Sequence, residues 1–166
     1  MSVGTRRLAV CALLLSLTLI LGYVESLIPI APGIPGIKLG LSNSVLVLAL
    51  YMLDIPSAVA LMGLKVALSG VLFSGVSAMA YGFAGGCLSL LAMALLSRAK
   101  GLSPVVVSAV GGLCHNAGQV ALAMLILRTP GLVFYMAALM AVGLVTGAVT
   151  GIVSVMVMKR VNIRDT

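Results

Sequence analysis

In the run Gly111-Gly-Leu-Cys-His-Asn-Ala-Gly-Gln119, an imidazole and two carboxamides interrupt an otherwise apolar stretch. At helical spacing His115 and Gln119 share a face and Asn116 lies beside them, so the three could wall a polar pocket. Lys38, Ser42 and Asn43 are spaced along a second run, Pro35-Gly-Ile-Lys-Leu-Gly-Leu-Ser-Asn43. Lys65 is followed one turn later by Ser69, and Glu25 closes the first apolar run. Ionisable groups in hydrocarbon are costly, and those that persist face a cavity or a partner. The alternative is interhelical hydrogen bonding, in which each such contact holds two helices together by about 1 kcal/mol. Lys38 lies close enough to an interface to snorkel. Lys65 does not, and Glu25 is the acid that could reach it. Two lysines and a histidine facing so few acids point to an electropositive pocket suited to a phosphate, carboxylate or pyrophosphate.

Other chemistries are excluded by what is missing. The acids are Glu25, Asp54 and Asp165, no two of them close in sequence. Chemistry that needs a divalent cation held by clustered carboxylates has no site here, so no catalysis, metal or cofactor is expected. No GxxxxGK[ST] loop occurs, so ATP hydrolysis by a P-loop is excluded. Cys11, Cys87 and Cys114 lie in apolar stretches without CxxC spacing and read as small hydrophobes. The net charge of +7 does not mean nucleic acid, because the basic residues flank apolar runs and tryptophan is absent.

These residues must be positioned by membrane helices. The chain has 166 residues, 62% hydrophobic and 8% charged, against about 25% charged in ordinary globular domains. Too few polar side chains remain to cover a water-soluble surface. The apolar runs are long rather than alternating, which favours helices over a barrel. We read an all-α integral membrane protein, one domain over residues 1–166, a bundle of six transmembrane helices. Helix 1 is expected from Arg7 to Leu27, helix 2 from Ile37 to Leu53 and helix 3 from Pro56 to Ser74. Helix 4 follows from Ser77 to Ser97, helix 5 from Pro104 to Leu127 and helix 6 from Leu132 to Met158. Arg6 and Arg7 before Leu8–Val24 resemble a signal peptide, but the run lacks a small-residue cleavage site and reads as a retained helix. The bias of Arg6, Arg7, Arg98, Lys100, Lys159, Arg160 and Arg164 against Arg128 and Lys38 puts both termini in the cytoplasm, with the protein in the inner membrane. The Pro29–Gly36 turn is expected to act as a lid over an outer pocket. Small residues form stripes at Gly143, Gly147 and Gly151, at Gly82 and Gly86, and at Ala9, Ala12 and Ser16. Such stripes let helices approach closely.

Two of these segments resemble family signatures. Pro35–Asn43 with the Val/Leu-rich run after it resembles the second-helix signature of the heptaprenyl diphosphate synthase component I family, also called Gx transporters. Gly112-Leu-Cys-His-Asn-Ala-Gly-Gln119 is similar to that family's second signature. The family in turn resembles the substrate-binding S components of energy-coupling factor (ECF) transporters, six-helix proteins with a pocket toward the outer face. The resemblance implies pocket residues Lys38, Asn43, His115, Asn116 and Gln119. It also implies a helix-1 patch at Ala9, Ala12 and Ser16 that docks a membrane coupling subunit with its ATPases, although the Ala9–Ala12 step is shorter than that family's usual spacing. A flavin, vitamin or isoprenoid/quinone-related ligand fits the resemblance. Three functions follow as expectations: an uptake component that binds a small anionic molecule, a non-catalytic accessory of a prenyl diphosphate synthase, and an assembly subunit of a flavin-linked redox complex.

Overall fold

The structure is a computed structural model that describes residues 3–28 and 41–160. Among the described residues all regular structure is helical. The α-helices are α1 (Val3–Ser26), α2 (Ser44–Met52), α3 (Ile55–Ser69), α4 (Gly75–Leu96), α5 (Pro104–Leu127) and α6 (Leu132–Arg160). A one-turn 3-10 helix, Leu41–Asn43, leads into α2, and a π-helical turn, Gly70–Ser74, joins α3 to α4.

Among the described residues four segments are long and apolar enough to cross a membrane: Gly4–Ser26, Ile55–Leu96, Pro104–Leu127 and Leu132–Arg160. The expected count of six transmembrane helices is therefore not supported. The discrepancy starts at α2. Its nine residues rise about 13 Å, less than half of a hydrocarbon core of about 30 Å. Ile55–Leu96 counts as one segment because helical structure runs through the π turn, yet it doubles back at Gly75, whose φ is +80°. A side-chain carbon on Gly82 would lie 3.7 Å from Val66, and one on Gly86 would lie 3.0 Å from Met62 Sδ. The legs of this segment are thus antiparallel.

The short α2 forms the centre of the molecule. Val45 through Leu50 are each at most 9% exposed, as expected of a helix that is apolar on every side. It packs against α1, α3 and α6. On the other flank α4, α5 and α6 pack antiparallel through glycines. A carbon added to Gly85 would sit 2.6 Å from the His115 carbonyl oxygen, and one on Gly147 would sit 2.6 Å from the Ser108 carbonyl oxygen. The stripe Gly143, Gly147 and Gly151 is consumed in this way against α5. The stripe on α1 is not: Ala9, Ala12 and Ser16 are exposed, beside Leu8, Leu13 and Ile20 at 60–70% exposure. Cys11, Cys87 and Cys114 are free thiols.

Both ends of the chain's helical part lie at one end of the bundle. Arg7 Nη2 pairs with the Asp54 carboxylate and donates to Ser57 Oγ at 2.7 Å. Val10 of α1 packs in the same apolar cluster as Val157 and Met158 of α6. The described basic side chains gather there, apart from Lys65 and Arg128.

Asp54 caps α3, accepting from the Ser57 backbone N–H at 2.8 Å. The Ser57 hydroxyl and N–H, with Arg7 beside them, hold its carboxyl below the ordinary value of 3.8. A lowered folded pKa means that the cap's stabilisation is complete above the unfolded value and is lost as pH falls through the folded one. Asp54→Ala should therefore cost about 1 kcal/mol at neutral pH. The difference from wild type should shrink as pH falls through the folded pKa of Asp54, which lies below its ordinary value, a comparison that detergent melting curves across pH would read.

Candidate functional site

Five structural elements converge on one small polar cavity. Thr18, Gly22 and Glu25 follow one another at spacings of four and three along α1, so they share a face. They point at the 3-10 turn that precedes α2. Thr18 Oγ1 donates to the Ser42 carbonyl at 2.8 Å, and Ser42 Oγ donates to Glu25 Oε2 at 3.3 Å. Glu25 is 1% exposed and lies by the first turn of α2, where the amide ends of a helix favour negative charge. The 3-10 turn exists because Ser42 and Asn43 direct their polar groups to neighbouring helices instead of continuing the apolar run.

α3 contributes Lys65 and Ser69. Lys65 Nζ donates to Asn43 Oδ1 at 2.6 Å, both residues being buried. This charge-assisted bond ties α3 to the start of α2. α5 contributes His115 and Gln119, whose Nε2 atoms lie 2.9 Å apart. With the amide nitrogen as donor, that contact requires a neutral imidazole protonated on Nδ1. α4 contributes Ala78 and Gly82, whose small size leaves the space open.

The cavity is lined by Thr18, Glu25, Ser42, Lys65, His115 and Gln119 among others. Its volume, about 30 Å³, holds about two water molecules. Pockets for whole organic cofactors run to roughly 300 Å³ and more. In this state the site admits a small polar group, not an entire flavin. Among the described lining residues one carboxylate, Glu25, faces one ammonium, Lys65.

The expected site residues divide accordingly. Glu25, Lys65, His115 and Gln119 meet at the cavity, and Asn43 joins through Lys65. Asn116 does not: its Nδ2 donates to the Leu139 carbonyl of α6 at 2.6 Å, fastening α5 to α6. Lys38 and the Pro29–Gly36 lid lie outside the described residues. Thr18 and Gly22 were missed in the sequence, though their spacing from Glu25 is a readable helical signal.

The acids bear on catalysis. Asp54 sits beside Arg7, and Glu25 lies eighteen residues further along α1, roughly 27 Å at helical rise. They cannot share a metal ion. Among the described residues no group of His, Cys, Asp or Glu is placed to hold one.

Comparison with known families gives one result: the profile of the family described as heptaprenyl diphosphate synthase component I matches residues 14–157. No curated protein and no solved structure matches the chain.

Proposed function

This chain belongs to the heptaprenyl diphosphate synthase component I family, and we propose on that footing that it is a non-catalytic membrane component of a prenyl diphosphate synthase. The observation that carries this reading is the separation of Glu25 from Asp54, which leaves no carboxylate cluster for Mg²⁺-dependent ionisation among the described residues. The word "component" in the family's description supports a catalytic partner. Such a partner would supply the metal site, while this chain supplies a membrane platform near which a lengthening apolar product can leave the water. In the orientation set by the basic residues, the termini and the Arg7–Asp54 pair face the cytoplasm of an inner membrane.

The exposed stripe Ala9, Ala12 and Ser16 on α1 is the docking surface in this reading, since the other glycine stripes are already consumed inside the bundle. Widening it with Ala9→Phe and Ala12→Phe should leave the melting temperature within a few degrees, because these side chains are exposed. Co-purification of the catalytic partner should drop at least tenfold. Unchanged co-purification would place the partner elsewhere.

A second reading rests on the cavity. A buried lysine, glutamate, histidine and glutamine around a water-sized space in mid-bundle favour a binding site for the polar group of a small molecule, as an uptake component would need. Titrating the detergent-solubilised chain with flavins, quinone precursors and prenyl diphosphates, while following thermal stability, tests it. A stoichiometric stabilisation supports binding; none across the series leaves the cluster as interhelical hydrogen bonding.

A further inference from the structure

Arg128, at the end of α5, is the single non-glycine residue with positive φ among the described residues, at φ +51° and ψ +35°. Helices commonly stop on this left-handed conformation, and glycine normally occupies it because a side chain there is strained. Gly131 stands three residues away and Pro130 two, so the turn has breakers at hand. An arginine held in the strained position points to a use for its side chain.

That side chain rims an open groove of about 510 Å³, lined otherwise by Ala121, Met124, Leu125 and Pro130. Ala121, Met124, Leu125 and Arg128 follow at spacings of three, one and three, a single stripe along α5. From Ala121 to Arg128 the stripe rises roughly 10 Å, with the cation at the helix end and apolar side chains below. Leu125 is 75% exposed. Arg128 is also isolated in charge, since the other described basic residues, Lys65 aside, lie at the opposite end of the bundle. Among the described residues no acid lines the groove and the guanidinium makes no salt bridge.

We propose that this groove is a binding site for one phospholipid with an anionic headgroup. The phosphate pairs with the Arg128 guanidinium and the upper part of an acyl chain lies along Leu125, Met124 and Ala121. A planar guanidinium presents paired donors that match phosphate oxygens. The apolar strip below it, roughly 10 Å long, spans about two thirds of one leaflet's hydrocarbon depth of about 15 Å. The bilayer supplies such an occupant at high local concentration, which commits the site to a lipid over a soluble phosphate.

Native mass spectrometry of the full chain in mild detergent tests this, with phosphatidylglycerol and phosphatidylcholine of identical tails as probes. One phosphatidylglycerol per chain is expected, preferred at least fivefold over phosphatidylcholine. Arg128→Gly should abolish the preference while its melting temperature stays at or above that of the wild type, because strain is relieved. Arg128→Asn, which tolerates the same backbone, should also lose the preference and covers the case in which the glycine variant does not fold. Arg128→Lys should keep part of it. A preference that survives both Arg128→Gly and Arg128→Asn would overturn the proposal, as would a lowered melting temperature in both with preference intact. Displacement of phosphatidylglycerol by inorganic phosphate alone, or by farnesyl diphosphate at equal concentration, would equally overturn it in favour of a free anion or an isoprenoid.

Discussion

Gly147→Leu should prevent recovery of the chain as a folded, monodisperse species in mild detergent. A single carbon added at Gly147 would lie 2.6 Å from the Ser108 carbonyl oxygen and 2.9 Å from Ala109 Cα. Both are backbone atoms of α5, so no rotamer change relieves the contact and the helices must separate. Neighbouring positions fail in the same way: a carbon on Gly143 would lie 2.5 Å from the Gly112 carbonyl oxygen, and one on Gly151 would lie 2.9 Å from Val105 Cα. Overpacking in ordinary cores costs about 1–3 kcal/mol. Here it also separates backbones along the whole α5–α6 seam, and displaces the Asn116–Leu139 hydrogen bond, so the loss should be at least about 3 kcal/mol. Gly63→Leu is the control, because nothing lies within 4 Å of a carbon added there. It should be neutral or slightly stabilising, by up to about 1 kcal/mol, through helix propensity. Size-exclusion profiles and melting curves of the two variants separate a packing seam from a general intolerance of leucine.

Lys65→Met should produce the second largest effect, on binding and on stability together. The substitution nearly keeps volume but removes the donor to Asn43 Oδ1, leaving a buried amide oxygen without that bond. Asn43 Nδ2 has no hydrogen-bond partner among the described residues, so the residue that leads into α2 would lose its tether to α3. A hydrogen bond to a charged group contributes about 1.5–3 kcal/mol, which as an affinity is roughly tenfold to a hundredfold. If the cavity binds a small polar group, Lys65→Met should lose that factor for whichever compound stabilises the wild type. If the cluster only joins helices, the melting temperature should fall while neither protein responds to any compound. Isothermal titration and melting curves on the same preparations read both quantities.

The polar half of the site was legible because the surrounding sequence is so apolar. In a chain with 8% charged residues, Lys65, Glu25 and the His115–Gln119 pair stand out at once. The structure brings them to one cavity, with Lys65 tied to Asn43 and Glu25 to Ser42. The small half was not legible. Gly22, Ala78 and Gly82 shape the cavity, yet Gly82 read as one more packing glycine, because space for a ligand and space for a helix require the same residue. Asn116 shows the opposite limit. Its neighbours face the cavity, but one residue along a helix is a turn of 100°, and that carries its amide to Leu139 on α6.

The helix count shows where hydropathy misleads. Ile37–Leu53 is long enough for a span only if helical throughout, whereas the α-helix starts at Ser44 after the Leu41–Asn43 turn. Ser42 and Asn43 are the cause, since their hydrogen bonds to Glu25 and Lys65 replace helical continuation. What reads as a span is instead a short helix, buried on all sides, whose first turn opens on the polar cavity. Interrupted helices of this kind are where membrane proteins place polar sites.

Incorporation of labelled isopentenyl diphosphate into prenyl diphosphate, with Mg²⁺ and an allylic primer, tests the proposed function most directly. It would be measured for this chain alone, for its catalytic partner alone and for both in the same membrane vesicles. No incorporation by this chain alone, with a severalfold gain when it joins the partner, is the result expected of a non-catalytic membrane component. Incorporation by this chain alone, or a partner whose rate and product length do not change when the chain is added, would contradict it.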